Sequence, residues 1–147
     1  ADRIDVDDEG HAVVLDYKAS VSPEHEFAVR EEGRLGKVQA LIYAQVARRM
    51  LRLNPVGALY VCYGKKCAVT GAYDATVLES PHLPSMRHDK CQFASQDGES
   101  FVDLLDRTEE AIARGVERML SGDVRPDPSS PHACTWCPVL SCAERRA

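Results

Sequence analysis

The chain has 147 residues, 44% of them hydrophobic and 28% charged, with a formal net charge of -5. That length suits one domain with a sizeable core, and the composition is that of an ordinary globular protein. The acidic balance excludes a global electrostatic grip on nucleic acid, so a polyanion would need a local basic face or a metal ion; no apolar run approaches the ~20 residues that span a bilayer.

Residues 1–20, ADRIDVDDEGHAVVLDYKAS, read as a two-stranded hairpin. Asp8, Glu9 and Gly10 form a three-residue loop, and Gly10 suits its left-handed closing position. Asp2 then lies opposite Asp16. Side chains alternate faces, so Lys18 joins Asp16 on one face. Facing carboxylates repel, and a single ammonium leaves net negative charge. A divalent cation resolves it, and carboxylates with water suit Mg²⁺ or Mn²⁺. The apolar run Ala12-Val13-Val14-Leu15 argues that this strand is buried. The alternative is a solvated acidic hairpin with an incidental salt bridge. No signal peptide is visible, and the chain opens abruptly inside a strand, so an N-terminal part is expected to be missing.

Residues 21–26 read as a loop around Pro23. A helix is expected from Arg34 to Leu53, with Leu35, Val38, Ile42, Val46 and Met50 as its apolar stripe and Asn54-Pro55 as its stop. Gln39 and Tyr43, four apart, stack beside that stripe; taken alone they read as boundary residues with packed stems and wet tips. Arg30, Arg34, Lys37, Arg48, Arg49 and Arg52 outnumber Glu31 and Glu32. A phosphate backbone could use that basic face, or it is simply solvated. Residues 56–63 form a short apolar strand in which Cys62 is a buried small hydrophobe. After a turn at Gly64-Lys65-Lys66, residues 68–78 give another strand, with Gly71 at a bend or bulge. Residues 80–98, with His82, His88 and Cys91, read as a long loop. Ser100 and Asp103 resemble a capping box that opens a helix along Phe101, Leu105, Thr108, Ile112, Val116 and Met119, stopped by Ser121-Gly122. Residues 124–132 form an extended, proline-rich arm.

The arm leads to Cys134, Cys137 and Cys142, spaced C-x2-C-x4-C. A Cys-x-x-Cys turn lets two thiolates point at one metal, and soft thiolates select zinc or an iron–sulfur cluster. Cys62, Cys67, Cys91, His132 or a cysteine upstream of Ala1 could supply a fourth ligand. Thiols spaced for metal rather than for disulfides fit a cytoplasmic protein.

Taken together, Asp2 in ADRID, Asp16-Tyr17-Lys18, Gln39-x-x-x-Tyr43 and the cysteine tail resemble the RecB-like branch of the PD-(D/E)xK nucleases. The cysteines resemble those of its iron–sulfur members, the AddB-type helicase-nucleases and the CRISPR spacer-acquisition nucleases. The resemblance implies an α/β, restriction-endonuclease-like fold: a mixed sheet flanked by helices, residues 1–122, with a C-terminal cysteine-rich metal-binding arm, residues 123–147. It implies a metal-dependent deoxyribonuclease, an exonuclease, acting on DNA that is single-stranded or has free ends. Recombination, repair, phage replication and CRISPR adaptation are the implied settings, with a helicase or recombination partner and no membrane. In the family pattern Asp2, Asp16 and the Tyr17 carbonyl hold Mg²⁺ or Mn²⁺, Lys18 stabilises charge on the attacked phosphate, and Gln39 and Tyr43 align Lys18 and the DNA backbone. Cys134, Cys137 and Cys142 would hold a 4Fe-4S cluster. Relatives usually space the last cysteines by five residues rather than four, which leaves Zn²⁺ open. The family's upstream cysteine and further metal ligand are expected before Ala1. Two other classes compete: a catalytically inactive nuclease-fold module that binds DNA or acts as a scaffold, and a thiolate-metal interaction module with an unrelated hairpin.

Overall fold

The computed structural model describes residues 1–20, 37–64, 68–74, 76–77, 92–93, 100–126 and 131–145. In order, the elements are β1 (Arg3–Val6), β2 (His11–Lys18), α1 (Gln39–Leu51), β3 (Asn54–Cys62), β4 (Ala68–Asp74), β5 (Gln92–Phe93), α2 (Phe101–Leu120) and α3 (Pro131–Thr135). They fall into two compact units, residues 1–112 and 113–147.

The first unit is a five-stranded mixed sheet in the order β1-β2-β3-β4-β5. Its hairpin has the register expected from the turn: Arg3 pairs with Leu15, Ile4 with Val14, Asp5 with Val13 and Val6 with Ala12. Gly10 has φ +83°, and Asp7 fastens the loop by accepting the N–H groups of Glu9 (2.9 Å) and His11 (2.8 Å). Strands β2 and β3 run parallel, which demands a crossover, and α1 lies within it. Strands β3 and β4 are antiparallel. At Gly71, φ is +119° and a Cβ would come 2.3 Å from the Ala58 carbonyl oxygen, so the position needs glycine, although the pairing with β3 runs through it without the expected bulge. β4 ends at Asp74, short of the expected residue 78, because the Asp74 carboxylate takes the Thr76 N–H (2.9 Å) and hydroxyl (2.6 Å) into a turn. β5 lies where a loop was expected; it pairs parallel with β4 and is too short to leave a pattern. The remainder of 80–98, with His82, His88 and Cys91, lies outside the described residues, as do residues 21–26.

Helix α1 corrects the sequence reading twice. Lys37 and Val38 precede the helix, which runs only to Leu51 and closes on Arg52 in the left-handed conformation (φ 59°); residues 34–36 lie outside the described residues. Its core face is Ala40, Leu41, Ala44 and Ala47, not the larger stripe: Ile42, Val46 and Met50 are exposed. Small side chains let the helix backbone sit close to the sheet, where it joins Val14, Ala58, Tyr60 and Ala72 in one core. Leu15, Leu59, Val69 and Tyr73 form a second cluster on the other sheet face.

Helix α2 opens on the expected capping box. The Asp103 carboxylate accepts the Ser100 N–H at 2.8 Å and the Asp103 N–H reaches the Ser100 hydroxyl at 3.2 Å. Phe101, Leu104, Leu105, Thr108 and Ala111 are buried. Val116 and Met119, expected on the apolar face, are exposed. In the second unit the helix ends at Leu120 and Gly122 follows with φ +80°. The expected extended arm turns helical at Pro131, and residues 127–130 lie outside the described residues.

Candidate active site

Alternation along β2 puts Val14, Asp16 and Lys18 on the face that α1 covers. Asp16 is 4% exposed. Its Oδ2 is enclosed and accepts no well-directed hydrogen bond among the described residues, although Lys18 Nζ stands 2.5 Å away. The Lys18 ammonium is therefore the one close partner of that oxygen among the described residues. The Asp16 carboxylate beside it holds the Lys18 ammonium above its ordinary pKa.

Lys18 is oriented from both ends. Its backbone carbonyl accepts the Tyr63 N–H at 3.0 Å, and next to it the Cys62 thiol lies 3.4 Å from the Ala19 carbonyl. Cys62 is buried, as expected. The Lys18 ammonium donates to Gln39 Oε1 at 2.7 Å, and Gln39 Nε2 donates to the Tyr43 hydroxyl at 2.8 Å. Residues four apart on α1 and a lysine on β2 therefore make one chain of hydrogen bonds. Gln39 and Tyr43 do more than pack and wet a helix boundary.

Asp2 sits just outside β1, where the ladder ends at Arg3 and Leu15. Its N–H reaches the Leu15 carbonyl at 3.2 Å, and its Oδ2 accepts the Tyr17 N–H at 2.7 Å. The Asp2 carboxylate thus lies against the Asp16–Tyr17 peptide. The enclosed Asp16 oxygen, met by the Lys18 ammonium, and the Asp2 carboxylate at the adjoining peptide are hard oxygen atoms that suit Mg²⁺ or Mn²⁺ better than a softer ion, although no three acidic, histidine or cysteine side chains gather there among the described residues.

Tyr60, unmarked in the sequence beyond its place in an apolar strand, belongs to the same group. It is 2% exposed and faces Asp16 across the β2–β3 pairing. Its hydroxyl accepts the Ala40 N–H at 3.0 Å and donates to the Lys37 carbonyl at 2.9 Å. Lys18 Nζ lies 5.8 Å from the centre of its ring, within cation–π range. Burial pushes its phenol pKa up. The signal that could have found it is its register with Asp16, which requires knowing that β2 and β3 are neighbours.

Two residues of the expected basic face are committed, while Lys37 and Arg52 are exposed and make no ion pair among the described residues. Arg48 pairs with Asp106 at 2.7 Å and Arg49 with Glu109 at 2.7 Å, both acids on α2. Arg30 and Arg34 lie outside the described residues.

In the second unit, Cys134 is buried and Cys137 and Cys142 are half-buried, all three as free thiols. The Cys137 N–H approaches the Cys134 carbonyl at 3.4 Å in a turn. No three His, Cys, Asp or Glu side chains among the described residues converge on a common point. The 4Fe-4S cluster or Zn²⁺ expected on Cys134, Cys137 and Cys142 thus gains no support from the described residues. Cys67 and Cys91 lie outside the described residues, as does the side chain of His132.

A family model described as the PD-(D/E)XK nuclease superfamily matches residues 1–142. No curated protein and no solved structure matches the chain.

Proposed function

The chain belongs to the PD-(D/E)XK nuclease superfamily, and from that premise we propose that it is a metal-dependent DNA hydrolase whose working residues are Asp2, Asp16, Lys18, Gln39 and Tyr43. The observation that carries the proposal is the enclosed Asp16 oxygen with Lys18 beside it: an arrangement costly to folding and suited to binding a cation. Asp16 and Asp2, with the Tyr17 carbonyl, would hold Mg²⁺ or Mn²⁺. When bound, the ion lowers the pKa of a coordinated water and offsets phosphate charge. Lys18 keeps its proton and presents a fixed positive charge to the phosphate oxygen that becomes more negative as the bond breaks. Gln39 holds the ammonium by its carbonyl and, by its amide, occupies an acceptor position of Tyr43. The Tyr43 proton is then directed outward, toward the DNA backbone.

Action from DNA ends follows the RecB-like resemblance and is proposed with it. The test incubates the protein with labelled linear single-stranded, linear double-stranded and circular DNA in Mg²⁺, Mn²⁺ or EDTA. Cutting of linear DNA that needs Mg²⁺ or Mn²⁺ and spares circles is the expected result. Cutting that survives EDTA, or DNA binding without cutting under every metal, contradicts it; the latter is the behaviour of an inactive nuclease-fold module.

A further inference from the structure

We infer that Tyr60 is a positioning residue of the site: its hydroxyl caps α1 from across the sheet and so sets Gln39 on the Lys18 ammonium. The inference rests on the nuclease reading for its catalytic consequence, but its structural half can be measured alone.

Helix α1 lacks a cap of its own. The residue before it is Val38, which offers no side-chain acceptor, and no acidic residue occupies its first turn. The opening N–H groups of a helix need acceptors, and a cap side chain ordinarily serves the second or third of them. Ala40 is the second residue of α1, and its N–H goes to Tyr60. The same hydroxyl donates to the carbonyl of Lys37, one residue before Val38. One phenol oxygen therefore grips the chain on both sides of Gln39. Tyr60 is itself fixed by burial in β3 opposite Asp16. The strand that neighbours the carboxylate thus also dictates where the helix begins, and the Tyr60 ring stands 5.8 Å from the ammonium that Gln39 accepts. A local cap such as serine at position 38 would fix the helix start without reference to the sheet; Tyr60 ties it to the strand beside Asp16 and Lys18.

Tyr60→Phe keeps the ring in the core and removes only the hydroxyl. Three variants, Tyr60→Phe, Gln39→Ala and the two combined, are compared in single-turnover cleavage of linear DNA with Mn²⁺, in DNA affinity, and in exchange of the Lys18 ammonium protons with water by NMR without metal. Tyr60→Phe should slow cleavage by about 10-fold with DNA affinity unchanged, the scale seen when an orienting partner is lost. The double variant should be no slower than Gln39→Ala, because both changes break one connection. Lys18 protons should exchange measurably faster in either single variant, because the hydrogen bond that shields them from water is released. Losses that add in the double variant, or Lys18 exchange unchanged by Tyr60→Phe, overturn the inference. If the unmutated protein cuts no DNA while the exchange results hold, the nuclease reading fails and takes the catalytic half with it, and the cap remains established.

Discussion

At the scale of the residue, Asp16 is where folding and function pull apart. Burying a carboxylate without a full set of donors costs stability, and Lys18 offsets only part of that. Asp16→Asn keeps the shape and removes the charge. We expect its thermal unfolding midpoint without metal to be equal to or above that of the unmutated protein, while cleavage falls by at least about 100-fold. A midpoint lowered by more than about 10 °C would mean that Asp16 is a stabilising residue and its burial no sign of a cation. How much of the site is legible in the sequence depends on which contacts are local. The hairpin register is legible because Asp7 and Gly10 admit one tight turn, and that places Asp16 and Lys18 on a common face. The joining of Lys18 to Gln39 bridges β2 and α1 and emerges from no spacing; only the family resemblance brings the two together. Tyr60 is hidden for the same reason, since nothing in VGALYVCY tells which aromatic meets the helix.

At the scale of the element, α1 shows how hydrophobic periodicity can select the wrong face. Ile42, Val46 and Met50 have the right steps and the larger side chains, yet the sheet admits Ala40, Ala44 and Ala47 instead. Size decided the reading, whereas close approach decided the packing. Ala44→Leu should therefore destabilise the protein by about 1–3 kcal/mol through overpacking, whereas Met50→Lys should change stability by less than about 0.5 kcal/mol; urea unfolding of the two variants checks the contrast. The opposite order would return the larger stripe to the core. Helix α1 is also held by Gln45, whose amide donates to Asp106 at 3.0 Å and to Glu109 on α2, with Arg48 closing on Asp106. Hydrogen bonds from Gln45 and Arg48 hold the Asp106 carboxyl below its ordinary pKa. Its folded pKa lies below its unfolded one, so the contribution is present above the unfolded value, about 3.8, and is lost as pH falls through the folded value. The stability gap between the protein and Asp106→Asn should accordingly shrink as pH drops below about 4. A gap that is constant from neutral pH to that range would show Asp106 contributing nothing by its charge.

At the scale of the whole molecule, an acidic chain with net charge -5 has to approach a polyanion. Arg48 and Arg49 answer acids on α2, so few phosphate contacts are available to them. DNA binding without metal should show a shallow salt dependence, with log K falling against log salt at a slope no steeper than about -3; a slope near -6 would reveal a basic track outside the proposed face. The mixed sheet is implied by the family resemblance rather than by any spacing, while β5 and the true bounds of β4 are not foreseen at all, because two paired residues and one Asx turn carry no periodic signal. No helix among the described residues is long and apolar enough to cross a membrane. The central claim is that Lys18, set between Asp16 and Gln39, serves the breaking of a phosphodiester bond beside a bound cation. Single-turnover cleavage and DNA affinity of Lys18→Ala with Mg²⁺ or Mn²⁺ test it most directly. Cleavage lowered by at least about 100-fold with DNA still bound is the expected result; cleavage at the unmutated rate would contradict it.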